Sequence, residues 1–139
     1  MRVDLVAESV NANKKGKFLS GIFKSVIIKR FNKINFGKIQ LIDGKEIYTF
    51  GNAESESPVQ VRVLSPEFYV CLGSGGLMGA AEAYTAGLWN ADDLVRLIRI
   101  IFRNKNVKNE LDSGWALVSK PINIIVHFTF YKYITRKIF

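Results

Sequence analysis

The chain opens with an amphipathic pattern whose spacing is helical. Over residues 17–34, apolar residues recur three and four positions apart, while the lysines and Arg30 fall mostly between them. The pattern predicts a helix and leaves two interpretations open. Either the helix packs on the core with a basic face in solvent, or it lies on an anionic membrane with its aromatic rings in the lipid. The predicted lipid contacts of the second interpretation are Phe23, Lys24, Ile27, Lys29, Arg30 and Phe31.

Strand patterns follow this helix. Two short runs of strand-forming residues, KIQLI and EIYTF, flank Asp43-Gly44, and Asp-Gly favours a type I′ hairpin turn. The segment 59–63, VQVRV, alternates apolar and polar residues and predicts a half-buried strand. Ser65 and Pro66 then predict the start of a helix, as its N-cap and its first residue.

A glycine-rich stretch continues that second helix. Gly73, Gly75, Gly76 and Gly79 invite comparison with loops that bind the phosphates of dinucleotides. Such loops follow a strand, whereas these glycines follow a predicted helix, and counting from Gly73 places Met78 where the last glycine is needed. We expect the first three glycines to end one helix and the fourth to permit close packing at the start of the next.

The remaining pattern completes an α+β fold. Residues 90–104 predict a helix capped by Asn90, residues 105–109 a linker, and residues 122–134 fit a strand and a helix equally well. The expected architecture is an N-terminal helix and a small, mostly antiparallel sheet with helices packed on one side.

Composition narrows the classes of function. A chain of 139 residues, 48% of them apolar, fits one folded domain. One cysteine and one histidine exclude a disulfide framework and a multi-histidine metal site. Its longest apolar stretch, residues 122–131, is too short for a membrane span of about 20 residues.

The charge distribution indicates an anionic partner. The net charge is +8, and no acidic residue occurs between Glu8 and Asp43 or after Asp112. Lipid, nucleic acid and acidic protein all fit this charge. We rank nucleic acid lower because the basic residues alternate with large apolar ones in a helical pattern, and no nucleic-acid-binding signature is present.

The segment 59–104 resembles the amino-terminal domain of the cyclopropane-fatty-acyl-phospholipid synthases, a family of S-adenosylmethionine-dependent lipid methyltransferases. The residues that carry the resemblance are Pro66, Phe68, Gly75, Leu77, Gly79, Glu82, Ala83, Tyr84, Gly87, Trp89 and Leu94. The sequence departs from the family pattern at Ala81, Thr85 and Ala86.

The resemblance implies a lipid-binding fold like that of sterol carrier proteins, without the catalytic domain. It divides the chain into a flexible N-terminus (1–16), a lipid-binding-like domain (17–110) and an apolar, basic segment (111–139) that would lead into an absent methyltransferase domain. S-adenosylmethionine would belong to that missing domain. This chain is therefore expected to bind no cofactor and to have no activity by itself, whether it is a truncated product or a separate subunit.

The expected function is phospholipid binding that presents acyl chains to a methyltransferase, at the inner face of the cell membrane on its cytoplasmic side. Glu82, Tyr84, Gly87 and Trp89 are the predicted family-motif or interface residues, with a structural hydrogen bond as the alternative role of Glu82. The predicted partners are an anionic phospholipid surface, a methyltransferase domain or subunit, and a second copy in a homodimer. The alternative function is a protein-interaction or dimerisation module with no lipid ligand.

Overall fold

The structure is a computed structural model that describes residues 2–52, 54 and 56–113. Predictions for residues 114–139, including the ambiguous segment 122–134, lie outside the described residues. The elements follow in the order α1 (Arg2–Phe31), β1 (Ile39–Asp43), β2 (Glu46–Phe50), β3 (Val59–Val63), α2 (Glu67–Thr85), β4 (Trp89–Ala91), α3 (Leu94–Arg103) and α4 (Lys105–Ser113).

The four strands form one mixed sheet in the order β2-β1-β3-β4. Strand β1 pairs antiparallel with β2 and parallel with β3, and β3 pairs antiparallel with β4. The antiparallel pairing brings the end of β2 beside the start of β1. The chain then passes β1 at that end and enters β3 on its other side, so β3 runs in the same direction as β1. The predicted α+β class is confirmed, with two of the three strand pairings antiparallel.

One face of the sheet is buried and the other is polar. Ile39, Leu41 and Val61 are at most 3% exposed, whereas their neighbours Gln40 and Arg62 point to the opposite, more accessible face. The helices therefore pack on one side of the sheet, as the alternation in the sequence predicted.

The predicted hairpin is present, but its turn type differs from the prediction. Asp43 pairs with Glu46, so the two turn residues are Gly44 and Lys45. Gly44 has a φ of +59°, and no described residue other than glycine has a positive φ. A positive φ at the first turn position alone is that of a type II′ turn, whereas type I′ needs it at both.

Helix bounds differ from the prediction at several ends. Helix α1 begins at Arg2 and so includes most of the segment predicted as a flexible N-terminus. Asp93, rather than Asn90, caps α3, because its side chain accepts a hydrogen bond from the Arg96 N–H. Residues 105–109, predicted as a linker, form the first part of α4. Within the described part of the chain, no helix is long and apolar enough to cross a membrane.

The start of α2 was predicted to within one residue. Pro66 occupies the N-cap position and makes no capping hydrogen bond, so Ser65 is not the cap. Instead the main-chain carbonyl of Ser65 accepts a hydrogen bond from the Phe68 N–H at 3.1 Å. The proline therefore lies just outside the helix rather than as its first residue.

Candidate functional site

An apolar cavity of about 410 Å³ lies between the C-terminal half of α2 and helix α3. Among the described residues that line it, none is charged, and the only side-chain hydroxyls belong to Tyr84 and Thr85. The Thr85 hydroxyl already donates a hydrogen bond to the Ala81 carbonyl at 3.0 Å. This lining suits an alkyl chain and offers no acid, base or metal ligand.

Helix α2 supplies one wall through residues that share a helical face. Leu77, Ala80, Ala81 and Tyr84 stand at positions i, i+3, i+4 and i+7 and all line the cavity. The two alanines in the middle of this face are small, which leaves space that a larger side chain would fill.

A kink in α2 sets the direction of that wall. Gly76 has a φ of +63° and a ψ of −147°, values that interrupt the helix and favour glycine. The segment beyond the kink is a new helical start, and its Leu77 N–H donates a hydrogen bond to the Asp112 carboxylate at 3.1 Å. The glycines thus join two helical segments, as predicted, and a side chain of α4 caps the second one.

Close packing explains Gly73 and Gly79 better than a phosphate ligand does. A Cβ atom at Gly73 would overlap the Phe23 ring, and one at Gly79 would overlap the Cys71 carbonyl. Gly75 has open space around it. Cys71 itself is 2% exposed, so it belongs to the core, and burial raises the pKa of its thiol.

Aromatic side chains form the base of the cavity. The ring of Trp89 lies 5.6 Å from that of Phe68 and 5.2 Å from that of Tyr84, between ring centroids. The Trp89 indole N–H donates a hydrogen bond to the Ala80 carbonyl at 2.7 Å. This bond satisfies the polar atom of Trp89 and leaves its apolar faces to the cavity.

The cavity opens to the surface along its rim. Tyr84, Ile98 and Phe102 line it and are also 41%, 48% and 54% exposed, respectively. Because the same side chains face both the cavity and solvent, the mouth lies between α2 and α3. A ligand chain can enter there without the core being opened.

The four family-motif residues differ in their relation to this cavity. Tyr84 and Trp89 line the cavity, and Glu82 is exposed on α2. Gly87, with a φ of +75°, lies just after the end of α2, in the chain reversal that leads into β4. The structure therefore brings Tyr84 and Trp89 together at one cavity, whereas neither Glu82 nor Gly87 lines it.

The apolar residues of α1 that were predicted to enter a membrane are buried. Phe23 is 1% exposed, Ile27 0% and Phe31 6%, so all three belong to the core, and Phe31 also lines the cavity. Over residues 16–31 of α1, the large apolar side chains that are exposed are Phe18 and Ile22. The core-packing interpretation of this helix is therefore the one that the structure supports, because its apolar stripe faces the sheet and α2.

Lys24 of α1 is held by acidic residues of the hairpin. Its ammonium group lies 2.8 Å from the Asp43 carboxylate and 2.7 Å from the Glu46 carboxylate. The hydroxyls of Tyr69 and Tyr48 donate to the same two carboxylates, at 2.7 and 2.5 Å. Lys24 is thus part of a polar cluster that ties α1 to the hairpin and is not a free lipid-phosphate contact.

The ionisation of this cluster follows its contacts. Partial burial lowers the pKa of Lys24, but its hydrogen bonds with Asp43 and Glu46 outweigh that effect and raise the pKa above its ordinary value. The hydrogen bond from Lys24 lowers the pKa of Glu46. Burial and the hydrogen bond to Asp43 raise the pKa of Tyr69. The raised pKa of Lys24 and the lowered pKa of Glu46 favour the charged form of each group. The raised pKa of Tyr69 favours the protonated hydroxyl that donates to Asp43.

The two remaining predicted cations of α1 differ in environment. Arg30 donates a hydrogen bond from Nη1 to the Glu110 carbonyl at 2.6 Å, which links α1 to α4. Lys29 is exposed. Of the three cations predicted to contact lipid phosphate, Lys29 is the one that the structure leaves exposed at the surface.

Sequence reasoning missed the contribution of α3 to the site. Its residues Leu94, Leu97 and Ile101 line the inner wall, and Ile98 and Phe102 line the rim. A signal was present in the sequence, because α3 has more apolar positions than one buried face can hold. Helical periodicity alone predicts one apolar stripe on this helix, formed by Leu94, Leu97, Ile98, Ile101 and Phe102.

No family model, curated protein or solved structure matches this chain.

Proposed function

We propose that the protein binds a phospholipid by taking an acyl chain into the cavity between α2 and α3, in support of acyl-chain modification by a methyltransferase. The observation that carries the proposal is the uncharged, apolar lining of a cavity that opens at the surface. Its volume of about 410 Å³ lies within the range of small-molecule sites, roughly 300–1,000 Å³.

The position of the mouth supports a phospholipid over a wholly buried apolar ligand. An acyl chain in the cavity would leave its headgroup at the rim beside Ile98 and Phe102. Two of the three arginines of α3, Arg99 and Arg103, are exposed on the same helix and can meet a phosphate there. An amphipathic ligand thus has a complementary surface for each of its two parts.

The methyltransferase partner rests on the resemblance of residues 59–104 to the synthase family. In this proposal the exposed residues Glu82 and Gly87 form part of the contact with a catalytic domain or subunit. Tyr84 and Trp89 hold the chain near that contact, since both line the cavity.

A dimerisation module is the second candidate, favoured by one observation. Val95, Ile98 and Phe102 form an exposed apolar strip on α3, which a second copy of the chain would cover. Sedimentation velocity over a range of protein concentrations distinguishes the two candidates, because only the second predicts that the strip is covered in the absence of lipid.

Binding of monomeric fatty acids, measured by calorimetry below their micelle concentrations, tests the proposed function. Each added methylene should raise the affinity about fourfold until the cavity is full, since a buried methylene contributes about 0.8 kcal/mol. Failure of every chain length to bind, or an affinity independent of chain length, would contradict the proposal.

A matched pair of variants locates the binding. Thr85→Phe places a large ring at the cavity wall, whereas Thr49→Phe places the same ring on the exposed outer face of the sheet. We expect Thr85→Phe to weaken fatty-acid binding by at least about tenfold, a loss equivalent to fewer than two buried methylenes, and Thr49→Phe to leave it unchanged. Equal effects of the two substitutions would place the ligand elsewhere.

A further inference from the structure

We propose that α3 is the surface with which the protein docks on an anionic phospholipid bilayer. The inference rests on the proposed lipid-binding function and extends it by naming the docking element and the charge of the membrane. It also differs from the sequence-based expectation, which placed the membrane contacts on α1.

Helix α3 carries an exposed apolar strip in addition to its buried face. Val95, Ile98 and Phe102 stand at positions i, i+3 and i+7 and are 62%, 48% and 54% exposed. Leu97, Ile100 and Ile101, on the other side of the helix, are buried. A helix that packed only on the core would not need an exposed apolar strip. The strip of Val95, Ile98 and Phe102 therefore marks a surface for an apolar partner.

An arginine strip runs directly beside the apolar one. Arg96, Arg99 and Arg103 each follow a residue of the apolar strip by one position, which turns them by about 100° around the helix axis. Arg96 donates a hydrogen bond to the Ser57 carbonyl and fixes the helix against the loop before β3. Arg99 and Arg103 are exposed.

The local charge favours an anionic partner. Residues 94–109 contain three arginines and two lysines and no acidic residue. The nearest acidic side chains in the sequence already accept hydrogen bonds from the main chain. Asp93 caps α3, and Asp92 accepts a hydrogen bond from the Gln60 N–H at 2.9 Å. On α4, Glu110 pairs with Lys33 and Asp112 with Lys108.

Charge also argues against two other occupants of this surface. The segment after Asp112 contains Lys120, Lys132, Arg136 and Lys137 and no acidic residue, so it has the same sign as the arginine strip. A second copy that packed its α3 antiparallel about a two-fold axis would place the two arginine strips close together. An anionic bilayer has the opposite charge and offers apolar depth for the exposed strip.

Docking through α3 would place the cavity against the membrane. Ile98 and Phe102 belong to both the exposed strip and the cavity lining. If the strip enters the lipid interface, an acyl chain can move between the bilayer and the cavity without crossing water.

Co-sedimentation with vesicles tests this inference. We would compare vesicles of phosphatidylcholine alone with vesicles that also contain phosphatidylglycerol, at low and high salt. The wild-type protein should bind the anionic vesicles, and high salt should weaken that binding.

The decisive variant reverses the arginine strip. Arg99→Glu with Arg103→Glu should lower the affinity for anionic vesicles by at least about tenfold. The matched control is Lys45→Glu with Arg62→Glu, which changes the net charge equally at the hairpin turn and the outer face of the sheet. Comparable losses in the two double variants, or no loss in the first, would overturn the inference.

Two further variants test the apolar strip and the α1 alternative. Val95→Ser, at a strip residue that does not line the cavity, should weaken vesicle binding even at high salt. Lys29→Glu on α1 should leave it nearly unchanged. If Lys29→Glu weakened vesicle binding more than the α3 variants do, the docking surface would be α1 and not α3.

Fatty-acid binding in solution separates this inference from the proposed function. The Val95→Ser variant should still bind a monomeric fatty acid, because Val95 does not line the cavity. Vesicle docking through α3 without fatty-acid binding would refute the cavity function alone. Fatty-acid binding without α3-dependent docking would refute the docking surface alone.

Discussion

Helices α1 and α3 look alike in sequence and have different environments in the structure. Both combine large apolar residues at helical spacing with basic residues and contain few acidic ones. On α1, Phe23 and Ile27 are 1% and 0% exposed, whereas on α3, Ile98 and Phe102 are 48% and 54% exposed. Between Phe23 and Phe31 the apolar stripe of α1 is covered by the rest of the fold, whereas part of the stripe of α3 is exposed.

Their cations differ in the same way. Lys24 of α1 lies within 2.8 Å of two carboxylates of the β1–β2 hairpin. Among the described residues, neither Arg99 nor Arg103 of α3 forms an ion pair. A basic amphipathic pattern therefore identifies a helix with two faces. It does not indicate whether the apolar face packs on the core or contacts a partner.

The largest expected effect comes from truncating one aromatic ring on each helix. Phe23→Ala removes a fully buried ring and should lower the free energy of unfolding by about 3–5 kcal/mol. Phe102→Ala removes a half-exposed ring and should cost about 1 kcal/mol or less. Urea denaturation of both variants measures the difference, and similar losses would mean that the two helices are equally buried.

The contact between α1 and α2 can be tested at a glycine. Gly73→Ala would push a methyl group into the Phe23 ring and should destabilise the fold by about 1–3 kcal/mol. Gly75→Ala meets nothing within 4 Å and should stabilise the helix by about 0.5–1 kcal/mol. Thermal unfolding followed by circular dichroism compares the two, and opposite signs are the expected result.

The polar cluster offers a test on the basic side of α1. Lys24→Met keeps the apolar part of the side chain but removes the hydrogen bonds to Asp43 and Glu46, and should cost about 1–2 kcal/mol. Lys29→Met, at an exposed position, should change the free energy of unfolding by less than about 0.5 kcal/mol. If urea denaturation gave equal values, Lys24 would have no greater structural role than a surface lysine.

The smallest expected effect is a change in pH dependence. Folding lowers the pKa of Glu46 below its ordinary value of 4.5, so its contribution to stability is present above that pH and is lost as the pH falls through the folded-state pKa. Glu46→Gln should therefore be less stable than wild type at neutral pH, and the difference should disappear in acid. Denaturation at neutral and acidic pH measures it, with the exposed Glu54→Gln as control; a difference that persists in acid would contradict the assignment.

Local patterns predicted those elements whose formation depends on neighbouring residues. The alternation of residues 59–63 matches β3, Asp43 and Gly44 lie at the hairpin, and the glycines of α2 mark its kink at Gly76. The parallel pairing of β1 with β3 could not be predicted in this way, because it depends on where the chain crosses after β2. The linker prediction at residues 105–109 was wrong, since Val107 and Leu111 are buried against the other helices and stabilise α4.

Composition and periodicity were enough to indicate the α+β class, the basic charge and two amphipathic helices, because these features reflect local preferences. Which apolar residues of these helices stay exposed, and where a cavity remains, depends instead on tertiary packing. Burial depends on what packs against each face, and the small side chains of Ala80 and Ala81 leave space only because Trp89 and α3 surround them.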